Sequence, residues 1–263
     1  MKFSVVTFNM RCEAVVDGPN YFFNRAPYVI SKIRKEMPDI ICFQECTPRM
    51  LEWLRCSLYE YEVVGLGRNA GLDGESNPVA FRKDKFDLFG LDQFWLSPTP
   101  FVPGTRYEHQ SRCPRICMTV CLSPKNTGKL FRVYNTHLDH VDAEARALGM
   151  DQVLNKISED NKKMRLPLVV TGDMNALPDE ISIQNVLNFE EIPMQEVTAS
   201  VPLTFHGYAP GNKTEYRIDY IFTDKGLDYS EPVIWNDEFV VGENKLYLSD
   251  HYPIVSEIEF FKD

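Results

Sequence analysis

Apolar and polar positions follow two periods along this chain. Alternating or continuously apolar blocks predict strands over residues 2–8, 39–45, 61–65, 77–82, 85–96, 116–122, 130–138, 166–170, 217–223 and 252–260. A turn at 125–128 makes 116–122 and 130–138 a hairpin, and 97–104 is a Pro/Gly-rich loop. Helical spacing runs through Ile30, Ile33 and Met37, and Pro38 stops it. Thr47 caps a second helix with Pro48 at its first position, and Met50, Leu51, Leu54 and Leu58 form its buried stripe. Residues 143–158, with Met150, Val153, Leu154 and Ile157 on one face, and the shorter 180–187 complete the helices. Several strands are apolar on both faces, as expected when a sheet has helices on one side and another sheet on the other. No repeat, low-complexity stretch or composition break divides the chain, so 1–263 is expected to be one α/β domain with mixed sheets inside and helices outside.

One stretch organises the rest: LPLVVTGDMNAL, residues 166–177. Its apolar run is expected to be a buried strand that stops at Gly172, where glycine permits a sharp change of direction. Asp173 and Asn175, two apart, are expected on the same side of an extended chain. A carboxylate beside a carboxamide suits a hard cation, an attacking water or a phosphate oxygen. Taken alone, the stretch reads first as a plain strand-end turn.

Composition narrows the classes. At 263 residues and 44% hydrophobic content the chain can bury a large core, and no apolar run approaches the ~20 residues that cross a bilayer. The N-terminus enters strand-like sequence without a signal-peptide pattern, which predicts a cytoplasmic protein; a trimmed export signal would leave the same start. Seven cysteines in mostly apolar surroundings fit buried thiols in a reducing compartment. Cys113, Cys117 and Cys121 lack His or Cys partners for a tetrahedral zinc set and are expected to be small apolar residues. A net charge of −10, with no Lys/Arg run longer than two, argues against a general DNA-binding nuclease.

Polar clusters lie at or near strand ends: Asn9; Gln44 and Glu45; Asn135, His137 and Asp139; Asp173 and Asn175; Arg217 and Asp219; Asp250 and His251. Acids, amides and imidazoles without a nucleophilic Ser or Cys suit a divalent metal and an activated water. TFN at 7–9, QE at 44–45, NTHLDH at 135–140, GDMN at 172–175, RIDYIF at 217–222 and SDHYPI at 249–254 occur in the order of a known family. The chain thus resembles the endonuclease/exonuclease/phosphatase superfamily over residues 3–258. NPVAFR at 77–82 and FWLSPTP at 94–100 look most like its bacterial branch related to deadenylases.

The resemblance implies a four-layer α-β-β-α sandwich of the DNase I-like kind, with two mixed sheets face to face, and a Mg²⁺-dependent phosphoesterase in which Mn²⁺ could replace Mg²⁺. It implies Glu45 as principal metal ligand, with Asn9 beside it and Asp250 completing the metal site or fixing an imidazole. Asp173 would orient or deprotonate the water, held by Asn175, and Asp219 would orient neighbours or bind a second metal. His251 would contact the scissile phosphate and His137 a phosphate oxygen. Arg115, Asn77, Asn135 and His206 are further substrate or phosphate contacts, His206 on a loop at the site mouth. Blander readings stand beside several others. Asp139 and His140 could be a loop turn, Glu75 a solvated loop residue and Arg146 the partner of an acid. His109 is expected in solvent, and Trp53, Trp95 and Trp235 in the core or at its rim.

Substrate is where the sequence runs out. Expected partners are a phosphoester: single-stranded nucleic acid, a nucleotide or a small phosphorylated metabolite. No membrane span is expected, and a monomer is favoured. The competing reading is a non-catalytic member that binds a phosphorylated ligand or a protein, but such a module has no chemical need for Glu45, Asp173, Asp219, Asp250 and both histidines together.

Overall fold

The computed structural model describes residues 1–211 and 216–262. In chain order these residues form β1 (Lys2–Asn9), α1 (Phe22–Glu36), β2 (Ile40–Gln44), α2 (Pro48–Ser57), β3 (Tyr61–Val64), β4 (Val79–Arg82) and β5 (Phe86–Trp95). Next come β6 (Ile116–Pro124), β7 (Phe131–His137), α3 (Ala143–Lys163), β8 (Leu168–Asp173), α4 (Ile181–Leu187) and β9 (Met194–Glu196). The remainder is β10 (Asp219–Asp224), β11 (Asp228–Tyr229), β12 (Val233–Ile234), β13 (Glu238–Val241), β14 (Asn244–Tyr247) and β15 (Ile254–Glu259).

Two mixed sheets carry the fold. The first has the order β11-β15-β1-β2-β4-β3, with β12 also pairing β15, and the second β5-β6-β7-β8-β10-β9. In each sheet the central pair is parallel, β1 with β2 and β7 with β8, and its neighbours are antiparallel. The period-two alternation of side chains explains how the layers stack. Val5, Ile40, Cys42, Val133, Val169 and Ile221 point between the sheets, into a core that also holds Phe86, Phe131 and Phe260. Their neighbours Val6, Ile41 and Phe43 point the other way, against Ala26, Val29 and Ile33 of α1 and Met50, Leu51 and Leu54 of α2. Tyr134, Val170 and Phe222 likewise face Met150, Val153 and Ile157 of α3 and Ile183 and Val186 of α4. Three cores between four layers give the expected α-β-β-α sandwich.

The differences from the sequence reading are local. Gly172 does not end its strand: β8 runs on through Asp173, paired with β7 and β10. Asn175 has left-handed backbone (φ 47°), so it does not share an extended face with Asp173. Met37 also adopts a left-handed conformation and terminates α1 rather than extending its stripe. Strands β9, β11 and β12 are too short to show a period, and β13 is largely exposed rather than alternating. Cys117 is buried, but Cys113 is only partly so and lies at the rim of the cavity described below. Trp95 and Trp235 are buried, and Trp53 packs against the core beneath α2. Among the described residues no helix is long and apolar enough to cross a membrane.

Candidate active site

The polar clusters converge because one pole of the sandwich collects their strand ends. The parallel register of β1 and β2 sets Asn9 beside Gln44, so Glu45 follows at the same edge. In the facing sheet, His137, Asp173 and Asp219 occupy one rung across β7, β8 and β10. His251 precedes β15, whose antiparallel pairing with β1 brings it to the same pole. The chain leaves three of these ends through non-glycine residues in left-handed backbone: Arg11 (φ 51°), Glu45 (φ 60°) and Asn175 (φ 47°). Each such residue costs on the order of 1–3 kcal/mol, and clustering of such strain is common at functional sites.

Asn9 ties the two sheets together here. Its Nδ2 donates to Asp173 Oδ2 at 2.8 Å and to Glu45 Oε1 at 3.0 Å. Its Oδ1 accepts the Arg11 backbone N–H at 2.9 Å, which fixes the amide orientation. Asn9 therefore turns donors, not its oxygen, toward the carboxylates. In this arrangement it clamps the two acids together. The Cys12 N–H holds Glu45 Oε2 at 3.0 Å, and the Asn175 N–H holds Asp173 Oδ1 at 2.9 Å.

His251 Nδ1 donates to Asp219 Oδ2 at 2.7 Å, and its Nε2 lies 3.8 Å from Asp173 Oδ2. The residue fixing this imidazole is Asp219, not Asp250. Asp250 instead accepts from the Ser249 hydroxyl and lies 3.6 Å from Arg11 Nε. Asn175 Nδ2 is 2.9 Å from His137 Nε2 and also donates to the Leu138 carbonyl. That network assigns an acceptor to His137 Nε2 and the proton to Nδ1, which is buried without a protein partner.

Burial and the negative charge of Asp219 push the Asp173 carboxyl up to about 7. Burial also raises the Asp250 carboxyl, with Glu45 adding to it. Glu45 itself moves down: burial opposes its charge, but the Cys12 N–H, the Asn9 amide and the charges of His251 and Arg11 outweigh it. Burial favours neutral His251, yet Asp219, Asp173 and Asp250 hold its imidazole charged up to about 10. His137 goes the opposite way, kept neutral by burial and by the cations Arg115 and Arg68. The site therefore holds one cationic imidazole, one neutral imidazole and a carboxylate poised near neutrality.

The donor chemistry fits a hard divalent cation. Glu45, His137 and Asp173 lie within ligand distance of one another, as do Asp173, Asp219 and His251. Protonated His251 has no lone pair to offer, and that of His137 Nε2 already faces Asn175. In these two groups the carboxylate oxygens of Glu45, Asp173 and Asp219 remain, and their crowded charge is what a divalent cation would compensate.

These groups line a cavity of about 560 Å³. It contains the predicted Glu45, Arg115, His137, Asp173, Asn175, Asp250 and His251, while Asn9 and Asp219 stand directly behind them. Three candidates are not on its surface. Asn135 is fully buried and bridges the sheets, accepting from Gln44 and donating to the Phe43 carbonyl. Asn77 donates to the Ile116 carbonyl, another link between the sheets. His206 lies behind the site rather than at its mouth, its ring stacked 4.2 Å from Tyr252 and wholly buried.

The cavity also holds Arg11, Arg68, Glu75, His140 and Glu180, and Phe205 with Tyr216. Glu75 and His140 are among the residues weighed from the sequence, whereas Arg11 and Arg68 are not. Arg146 pairs with Glu180 at 2.6 Å, the ion-pair reading of that residue. Asp139 accepts the backbone N–H groups of Ser111, Val141 and Asp142, the loop-turn reading.

Comparison with known proteins identifies relatives of the same fold. Residues 6–251 match the model of the endonuclease/exonuclease/phosphatase family. A crystal structure of a member from Bacteroides vulgatus is 31% identical, with a TM-score of 0.90, and the match covers 99% of this chain and 100% of that one. A mannosyl-6-phosphatase from Bacteroides thetaiotaomicron is 28% identical with a TM-score of 0.90, covering 98% of this chain and 100% of that one. The uncharacterized protein L388 of Acanthamoeba polyphaga mimivirus is 27% identical over 254 residues, covering 88% of this chain and 90% of that protein.

Proposed function

The chain belongs to the endonuclease/exonuclease/phosphatase family, and within it we propose that the protein is a divalent-metal-dependent phosphoesterase acting on a small phosphoester, with water as the nucleophile. The observation that carries this reading is the rung His137–Asp173–Asp219 set against Glu45 and His251. A phospholigand-binding module would have no use for buried carboxylates crowded in this way.

Glu45 and Asp250, with Asp173 beside them, would hold Mg²⁺ or Mn²⁺. The bound ion supplies neutralisation of phosphate charge and polarisation of the P–O bond. Asp173, its carboxylate fixed by the Asn9 amide and the Asn175 N–H, positions the attacking water and takes its proton. His251, kept charged by Asp219, donates to a phosphate oxygen as charge builds there. His137, neutral and held by Asn175, stands beside Asp173 on the cavity wall.

A small substrate accords with a net charge of −10 and with the activity named for the Bacteroides thetaiotaomicron relative. A polymer would need phosphate contacts that an acidic surface opposes. Glu45→Ala tests the metal role. It is expected to raise the Mg²⁺ concentration for half-maximal phosphate release by about tenfold or more, the scale on which groups supporting a metal site act. Metal dependence identical to wild type would remove Glu45 from the metal site.

A further inference from the structure

One wall of the cavity, beside His137, is not used by the chemistry above. It is built from the loop 66–76 and from the chain on either side of β6 and β7. Arg68 is anchored at both ends of its backbone: its N–H donates to the Glu75 carbonyl at 2.9 Å, and its carbonyl accepts Trp95 Nε1 at 2.6 Å. Its guanidinium pairs with the Glu75 carboxylate at 2.9 Å. Arg115 is only 4% exposed, yet its Nε and Nη1 have no hydrogen-bond partner. Its Nη2 lies 2.8 Å from His140 Nδ1. Arginine can only donate, so His140 Nδ1 accepts and the ring proton is on Nε2, as a further donor.

Two features define what this wall can bind. The first is charge: Arg68 is matched by Glu75, and Arg115 faces Asp139 at 3.7 Å, so a second phosphate finds no uncompensated positive charge. The second is unused hydrogen-bonding capacity: the Nε2–H of His140 and the carboxylate lone pairs of Glu75, backed by Arg115, whose Nε faces Asp139 and whose Nη2 holds His140. Donors and acceptors side by side with balanced charge suit hydroxyl groups, which both donate and accept. An aryl or alkyl group there would leave buried donors unpaired at a cost.

The other side of the cavity, next to His251, is aromatic. The Phe205 ring lies 4.9 Å from His251 and is nearly parallel to Tyr216, 12° apart in plane. A ring with a polar edge and an apolar face matches the chemistry of these two walls. The volume of about 560 Å³ lies within the ~300–1,000 Å³ usual for small-molecule sites.

We propose that Arg68, Glu75, Arg115 and His140 form a leaving-group subsite for a cyclic polyol, so that the substrate class is a sugar phosphate whose hydroxyls this wall reads. The phosphoesterase reading supplies the position of the phosphate, on which this subsite rests. The test is calorimetric titration of the Asp173→Asn protein in Mg²⁺ with mannose 6-phosphate, glucose 6-phosphate, p-nitrophenyl phosphate and inorganic phosphate. At least one hexose phosphate is expected to bind about tenfold or more tightly than p-nitrophenyl phosphate. Glu75→Gln and, separately, His140→Ala, both added to that background, are expected to remove the preference. Hexose phosphates binding no tighter than p-nitrophenyl phosphate, or a preference unmoved by both variants, overturns the subsite. Phosphate release from p-nitrophenyl phosphate by the unaltered protein separates the two ideas. Release without a hexose preference refutes the subsite alone, whereas a hexose preference without release supports the subsite and refutes the hydrolytic reading.

Discussion

Asp173→Asn is expected to lower kcat by about 10³-fold, within the ~10²–10⁴ that a positioned general base contributes, while leaving the protein folded. The substitution keeps the shape but removes the charge that orients and deprotonates water. It also disturbs one hydrogen bond, because Asp173 accepts from both Asn9 Nδ2 and the Asn175 N–H and an amide has only one oxygen. Against that loss stands a gain. A carboxyl raised to about 7 by burial and Asp219 is harder to ionise in the folded chain than in the unfolded one. It therefore withdraws stability as pH rises from near 4 toward 7, and the withdrawal is complete above 7. Asparagine has no such penalty, so the metal-free variant should melt no lower than wild type at pH 8 while its activity is lost. His251 has the opposite sign. Its imidazole, raised to about 10 mainly by Asp219, contributes stability that is full below 6.5 and is lost as pH rises through 10. Thermal melts of the wild type and Asp173→Asn between pH 5 and 8, set beside turnover, check this account. A variant with wild-type turnover removes Asp173 from the chemistry, and one with a collapsed melt makes its role structural.

Gly172→Ala is expected to damage the fold severely, costing more than about 4 kcal/mol. Gly172 sits inside β8 at φ 150°, where its Cα faces the neighbouring strand β7 so closely that an added Cβ would overlap the Thr136 carbonyl oxygen. That contact is backbone on backbone, and no side chain can swing aside to relieve it. The strand would have to separate from β7 next to the rung of His137 and Asp173, so stability and activity should fall together. Urea denaturation measures it. A variant within about 1 kcal/mol of wild type would mean that the strands can separate there without cost. The contrast with Asp173→Asn one residue later, active site lost and fold kept, makes the pair informative.

Much of this architecture was legible because burial on both faces of a strand leaves a mark in the sequence. Val5 and Val6, or Val169 and Val170, can both be apolar only if layers lie on both sides. The polar ends were legible for the complementary reason: Glu45, Asp173, Asp219 and His251 interrupt apolar runs where no helix or turn requires them. Distinguishing a site amide from a structural one was not possible locally. Asn135 and Asn77 stand in the same kind of run as Asn175, but the facing sheet supplies Gln44 and the Ile116 carbonyl as their partners. His206 turned inward because Tyr252 and Tyr247 offer it an aromatic bed, a contact between distant segments. The amide of Asn9 pointed its donors at the acids because the Arg11 N–H claims its oxygen. Gly172 looked like a strand terminator because glycine serves both turns and close strand approach, and only the position of β7 decides between them.

Metal-dependent release of phosphate by the wild-type protein tests the central claim most directly. A panel of hexose 6-phosphates, nucleotides, p-nitrophenyl phosphate and single-stranded nucleic acid would be followed with Mg²⁺ or Mn²⁺, with EDTA, and with the ion restored after EDTA. The account predicts release from at least one small phosphomonoester, abolished by EDTA and recovered when Mg²⁺ or Mn²⁺ is added back. Release that persists undiminished in EDTA, or none from any member of the panel, would contradict it.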